Sequence, residues 1–247
     1  MLVFVVALQS PQVSKDWHRV SALCEQTLRS MCNQTVADFR VILVCNERPQ
    51  TSFFHPNLEI VEHDFALPDS NSHARMNDKW LKLRHGCVIA RQYAPCYVMI
   101  ADADDFVSRR LAQFCRESPI TNGWLFQKGY LYQENSRWLV QQNNFNTLCG
   151  TSAIVNCTPE ELPSDPKQES KRFAVLNFGH TIIGPEMARR GRPLGELPFA
   201  GAIYRVGTGE NDSGFDLRNW GSKKTWLRQW LNRVWLSNAL RNEFGIA

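Results

Sequence analysis

This 247-residue chain lacks, at its start, an apolar run long enough to span a bilayer. Its apolar opening, Leu2–Leu8, is too short for that and follows no basic segment, so it reads as a first β-strand rather than a leader. A cytoplasmic location is expected, peripheral to the inner face of a membrane at most. Without a leader, the sequons at Asn33, Asn156 and Asn211 are expected to stay unglycosylated. There is no CxxC pair among Cys24, Cys32, Cys45, Cys87, Cys96, Cys115, Cys149 and Cys157. They sit mostly in apolar contexts, which reads as reduced core thiols rather than a disulfide framework. The absence of GxGxxG and of a Walker A sequence removes the dinucleotide fold and the P-loop NTPase by fingerprint. No internal repeat occurs. Neither charge dominates: the net charge is +4. That mild excess suits an anionic substrate or a membrane surface, and no nucleic-acid partner is expected.

What is present is an alternation of strands and helices. Strands are predicted at Leu2–Leu8, Phe39–Cys45, Leu58–Glu62 and Tyr97–Ala101. Val20, Leu23, Cys24, Thr27, Leu28 and Met31 recur at helical spacing. A second helix is predicted over about Met76 to Gln92. Such alternation implies a largely parallel sheet with crossover helices. The second half differs. Trp124, Phe126, Lys128, Tyr130 and Tyr132 alternate as one strand, with Trp138 opening its hairpin partner. Thr158 to Arg172 reads as a loop. A helix near Thr181–Arg190, a strand near Ala202–Val206 and a glycine-rich loop, Gly207 to Gly214, follow. The last segment, Ser222 to Asn242, reads as a basic, aromatic helix.

The sharpest chemical signal is Tyr97–Asp105, an apolar strand running into Asp102, Asp104 and Asp105. Carboxylates crowded at a strand exit repel one another. Mg²⁺ or Mn²⁺ would relieve that, since hard cations take oxygen ligands and leave positions for phosphate. Ligands also bind at strand exits in open α/β sheets. A helix beginning near Val107 and capped by Asp104 or Asp105 explains the acids equally well. An EF-hand fits badly, because its glycine and glutamate places hold Val107 and Gln113.

Several further pieces fall in a recognisable order. Ser30-Met31-Cys32-Asn33-Gln34-Thr35 precedes Asp38-Phe39-Arg40-Val41-Ile42-Leu43-Val44, and the acid motif is Asp102-Ala103-Asp104-Asp105. Then come His180-Thr181, Arg189-Arg190-Gly191, Leu197-Pro198, Tyr204-Arg205 and Asn211-Asp212-Ser213. Over roughly residues 2 to 214 this order resembles GT-A fold glycosyltransferases of the family 2 type. The resemblance implies a GT-A-like α/β/α sandwich with a mostly parallel central sheet. Residues 1–106 would be the nucleotide-binding half, 107–221 the acceptor half and 222–247 a C-terminal helical extension. It also implies a metal-dependent hexosyltransferase that moves a sugar from a nucleotide-diphosphate-sugar donor to a saccharide or lipid-linked acceptor. Asp102 and Asp104 would hold Mn²⁺ or Mg²⁺. Three positions depart from the family pattern. Asn46 stands where an Asp commonly holds the base, Gly179-His180 replaces the Glu-Asp that supplies the catalytic base, and Gly207 stands where a His often follows Tyr-Arg.

Each candidate has a plainer reading beside it. His180 is a base by its place in the motif and its titration range, or a helix-terminal histidine with a backbone contact. Glu210 and Asp212 are the alternative catalytic carboxylates, or members of a solvated loop. Lys79 and Lys82 share a helix face and would meet the diphosphate, or lie on a solvated face. The tail tryptophans Trp226, Trp230 and Trp235 are expected to dock on the domain, or else to meet a membrane interface. The rival enzyme class is sugar nucleotidyl transfer, although Leu8-Gln9-Ser10-Pro11-Gln12 lacks a glycine-rich basic loop. A non-catalytic partner protein of the same fold is the other.

Overall fold

The computed structural model describes residues 1–69, 71–210, 217 and 229–246. Two sheets organise the described residues. The larger has seven strands in the order β10-β6-β9-β4-β1-β2-β3. They are β1 (Leu2–Ala7), β2 (Phe39–Cys45), β3 (Leu58–Glu62), β4 (Cys96–Asp102), β6 (Gly123–Leu125), β9 (Ala153–Cys157) and β10 (Gly195–Glu196). β1 pairs in parallel with β2 and β4, and β2 with β3, whereas β9 runs antiparallel to both β4 and β6. The sheet is therefore mostly parallel, as the alternation predicts.

The apolar run of β1 is explained by its central place, since a strand covered on both faces has no use for alternation. Phe4 and Val6 enter one core cluster and Val3 and Val5 the other. Helix α1 (Trp17–Cys32) covers the first face with Val20, Cys24, Leu28 and Met31, and is capped by Asp16, which accepts from the Arg19 N–H at 3.0 Å. Helix α2 (Ser72–Ala90) covers the second with Leu83, Cys87 and Ala90. It comes unusually close to β1, because a Cβ on Gly86 would stand 2.5 Å from Val5 Cγ1. The result is a three-layer α/β/α arrangement. All eight cysteines are buried and unbridged.

The smaller sheet has five strands, β12-β8-β7-β11-β5. They are β5 (Phe106–Val107), β7 (Gly129–Gln133), β8 (Trp138–Gln142), β11 (Ala202–Val206) and β12 (Arg233–Trp235). Two expectations change here. The aromatic stretch is two strands rather than one: β6 ends at Leu125 in the large sheet and β7 begins at Gly129 in the small one. The predicted hairpin between β7 and β8 does form. No helix begins near Val107, which lies in β5. The next helix, α3 (Leu111–Glu117), has Arg110 at its N-cap, so the capping role for Asp104 and Asp105 falls away.

The tail is also corrected. Residues 222–228 lie outside the described residues, but Arg233–Trp235 form an edge strand on β8 rather than continuing a helix. Val234 sits opposite Leu139 and Trp235 opposite Trp138, a pairing that β-branched and aromatic residues favour. Between β9 and β11 lie two short helices, α4 (Ala174–Asn177) and α5 (Ile183–Arg189). The chain closes with α6 (Asn238–Phe244). Leu236 and Phe244 are buried against Phe106, Leu139 and Ile203, while Trp230 and Trp235 remain 53% and 50% exposed. The tail is thus anchored by its aliphatic and phenyl groups and not by these two tryptophans. Among the described residues no helix is long and apolar enough to cross a membrane.

Candidate active site

A cavity of about 620 Å³ opens beyond the C-terminal ends of β1 and β4. Its polar wall includes Gln9, Lys79, Asp102, Asp104, His180 and Glu210, and its apolar wall includes Leu83, Ile100, Val175, Phe178 and Ile183. Pockets of this size hold small-molecule ligands. Asp102, Asp104, His180, Glu210 and Lys79, scattered through the sequence, are thereby brought together. Asp212 lies outside the described residues.

The three aspartates have different fates. β4 delivers Asp102 to the cavity floor. Its N–H donates to Thr151 Oγ1 at 2.9 Å, and its Oδ1 accepts from Lys79 Nζ of α2. Asp104 lines the cavity two residues on. Burial, then the neighbouring Asp102 charge, pushes its carboxyl up to about 6, against the pull of Arg205 and Lys79. Asp105 turns away and is fully buried. Its Oδ2 accepts from Thr151 Oγ1 at 2.5 Å and from the Cys149 thiol at 3.1 Å, and its Oδ1 accepts from the Arg205 N–H at 3.2 Å. Arg205 is 1% exposed, with its guanidinium 4.0 Å from the centre of the Phe106 ring. Of the three aspartates, Asp105 is a framework residue, whereas Asp102 and Asp104 line the cavity.

Sequence reading missed the loop Cys149-Gly150-Thr151, which grips two of the three acids. Thr151 bridges Asp102 and Asp105 through one hydroxyl. Gly150 backs onto Asp102, where a Cβ would lie 3.0 Å from Oδ2. Nothing in a short run of small residues announces such a role.

The two lysines of α2 part company. Lys79 faces the cavity. Burial works against its charge, but Asp102 and the acids behind it raise the ammonium above its ordinary range. Lys82 does not reach the cavity, contrary to expectation. It is fully buried and donates to the Leu8 carbonyl at 3.0 Å and to Asp78 Oδ2 at 2.7 Å, which fixes the end of β1 to α2. Asn46 is likewise outside the cavity, with its Nδ2 donating to the Phe65 carbonyl at 2.8 Å. Glu210 does line the cavity, yet it accepts from Gln9 Nε2 and from the N–H groups of Lys15 and Asp16 at 3.1–3.3 Å. It pins the entrance loop to the start of α1.

His180 sits in the turn before α5. Burial lowers its imidazole below the usual histidine range, although Asp102 and a hydrogen bond with the Thr147 backbone pull the other way. That shift favours the uncharged imidazole, the form able to accept a proton. Gly207, where the resemblance expects a histidine, has φ +68°, and a Cβ there would fall 2.0 Å from Gln133 Nε2. A histidine at that position would be strained and crowded.

The acids fit a hard divalent cation. Mg²⁺-type sites use one or two carboxylates, with water and substrate phosphate filling the rest. The like-charge crowding that raises Asp104 and the clearance Gly150 leaves beside Asp102 Oδ2 suit such an ion. Among the described residues, no group of three or more His, Cys, Asp or Glu side chains could hold a metal ion by itself.

No protein-family description matches this chain, and no curated protein does. Among solved structures, it is similar to the 2-C-methyl-D-erythritol 4-phosphate cytidylyltransferase of Francisella tularensis. The identity is 10%, the TM-score is 0.41, and the match covers 93% of this chain and 99% of that one.

Proposed function

We propose that this protein is a transferase whose cavity receives a nucleotide, with its phosphates against Asp102, Asp104 and Lys79. Within that class we carry forward glycosyl transfer from a nucleotide-diphosphate sugar to a hydroxyl acceptor. The observation that supports it is the convergence of Asp102, Asp104, Lys79 and His180 on one cavity at the exit of a mostly parallel sheet. A divalent cation bound at Asp102 and Asp104 would supply Lewis-acid stabilisation of a leaving diphosphate. Lys79 adds positive charge to the same oxygens. His180 takes the proton of the acceptor hydroxyl. A lipid-linked acceptor would lie along the apolar wall formed by Val175, Phe178 and Ile183, beside the polar floor.

Nucleotidyl transfer is the second reading, and it is the class named for the cytidylyltransferase above. It would set a nucleotide's phosphates against the same acids and lysine. One assay separates the two. The protein is incubated with Mn²⁺ and either a panel of nucleotide sugars or a nucleoside triphosphate with a sugar phosphate. Free nucleoside diphosphate is the expected product. Pyrophosphate from the second mixture would replace the first reading with the second. Nucleotide binding without turnover of either mixture would point to a non-catalytic partner.

A further inference from the structure

Lys79 and Lys82 lie three residues apart on α2, and each holds a carboxylate, but only one of the two pairs can open. Lys82 and Asp78 are 1% and 8% exposed, and Lys82 is also tied to the Leu8 carbonyl. Lys79 and Asp102 are 33% and 26% exposed and face the cavity. Breaking the first pair would strand a buried charge, whereas the second can part with solvent or ligand taking each partner's place.

Lys79 occupies one oxygen of the carboxylate that would hold a cation. An ammonium and a divalent cation compete for the same negative charge and repel each other across it. A phosphate arriving with the cation changes the balance, since it gives the ammonium a new anionic partner.

We propose that Lys79 is an exchangeable counter-ion. It neutralises Asp102 while the cavity is empty and passes to a phosphate oxygen when a nucleotide diphosphate arrives with its cation. Cation and nucleotide then bind as one unit, and neither binds well alone. This deepens the function proposed above and rests on it.

The test is Mn²⁺ binding, read as loss of the free-ion electron paramagnetic resonance signal, on the full chain with and without UDP, GDP, CDP or ADP. Wild type is expected to bind Mn²⁺ weakly alone and firmly with one of the diphosphates. Lys79→Met should bind Mn²⁺ alone about tenfold or more tightly, because a competing positive charge is gone. The same variant should bind the diphosphate, at saturating Mn²⁺, about tenfold or more weakly. Lys79→Arg should restore both wild-type values, and Lys79→Met combined with Asp102→Asn should erase the gain in Mn²⁺ affinity. A purely structural lysine would weaken both affinities together and lower the melting temperature. Unchanged or weaker binding of Mn²⁺ alone by Lys79→Met, with wild type still binding the Mn²⁺–diphosphate pair, overturns the exchange and leaves the site reading standing. Wild type that binds no diphosphate in the presence of Mn²⁺ overturns the site reading, and the exchange with it.

Discussion

Asp102, Asp104 and Asp105 are one motif in sequence and two kinds of residue in space. Asp102→Asn and Asp104→Asn remove charge from the cavity while preserving shape, so cation-dependent nucleotide binding should be lost with the melting temperature nearly unmoved. Asp105→Ala should do the reverse. It deprives Thr151, Cys149 and the Arg205 N–H of their shared acceptor beside a buried guanidinium. Leaving a buried donor without its acceptor typically costs about 1–3 kcal/mol. Calorimetric binding and thermal melts on the three variants check the division, and an Asp105→Ala protein as stable as wild type would refute it. His180→Ala should lower turnover about 10²–10⁴-fold, the usual contribution of general-base help, with donor affinity little changed. Because burial holds the His180 pKa below its ordinary value, its working form is present at neutral pH and is lost as pH falls through that lowered value. The rate profile should therefore fall on the acid side of the ordinary histidine range, and His180→Ala should remove that limb. An identical limb in the variant would assign it elsewhere.

At the scale of elements, the first half of the chain was legible and the second only partly so. β2 and β3 have the predicted bounds, and β1, β4 and α1 lie where buried apolar runs and helical spacing put them. Strong period signals carry that far. They fail at Trp124–Tyr132, where alternation continues unbroken while the chain changes sheets, because period two reports extended backbone and not which neighbour it pairs with. The tail fails for another reason. Val234 and Trp235 fit a helical stripe, yet an open edge on β8 offers backbone partners that no local pattern records. In the candidate site, the acids were legible through their place after an apolar strand, Lys79 through its place on the helix that precedes that strand, and His180 only through the motif order that the family resemblance supplies. The loop at Gly150 was not, since its role depends on a long-range approach to Asp102. That approach gives an element-scale prediction. Gly150→Ala places a Cβ about 3.0 Å from Asp102 Oδ2, so Mn²⁺-dependent nucleotide affinity should fall about tenfold, with little change in melting, since crowding one ligand disturbs a site more than a fold. Calorimetry on the variant settles it, and undiminished affinity would take Gly150 out of the site.

For the whole molecule, the tail is part of the fold. Glu243 accepts from Ser108 Oγ at 2.5 Å and from Arg110 Nε at 2.8 Å, and Phe244 packs edge-on against Tyr130. Phe244→Ala should cost about 3–5 kcal/mol, which for a chain of this size lowers the melting temperature by roughly 10 °C. Trp230→Ser with Trp235→Ser should cost far less, because both rings are half exposed. Scanning calorimetry compares them, and a Trp double variant that melts as low as Phe244→Ala would reverse the assignment. Pelleting of the same Trp variant with anionic vesicles reports separately on membrane contact through that edge.

Three residues separate β4 from β5: Ala103, Asp104 and Asp105 carry the chain out of one sheet and into the other. The length of that bridge acts as a reading frame. Side chains alternate along a strand, so one inserted residue would present Phe106 and Val107 to the wrong faces. It would also put Asp104 and Asp105, which lie in the connection between the two strands, out of step with the cavity on one side and Thr151 on the other. A motif that can be substituted position by position in this way tolerates no change in its spelling length.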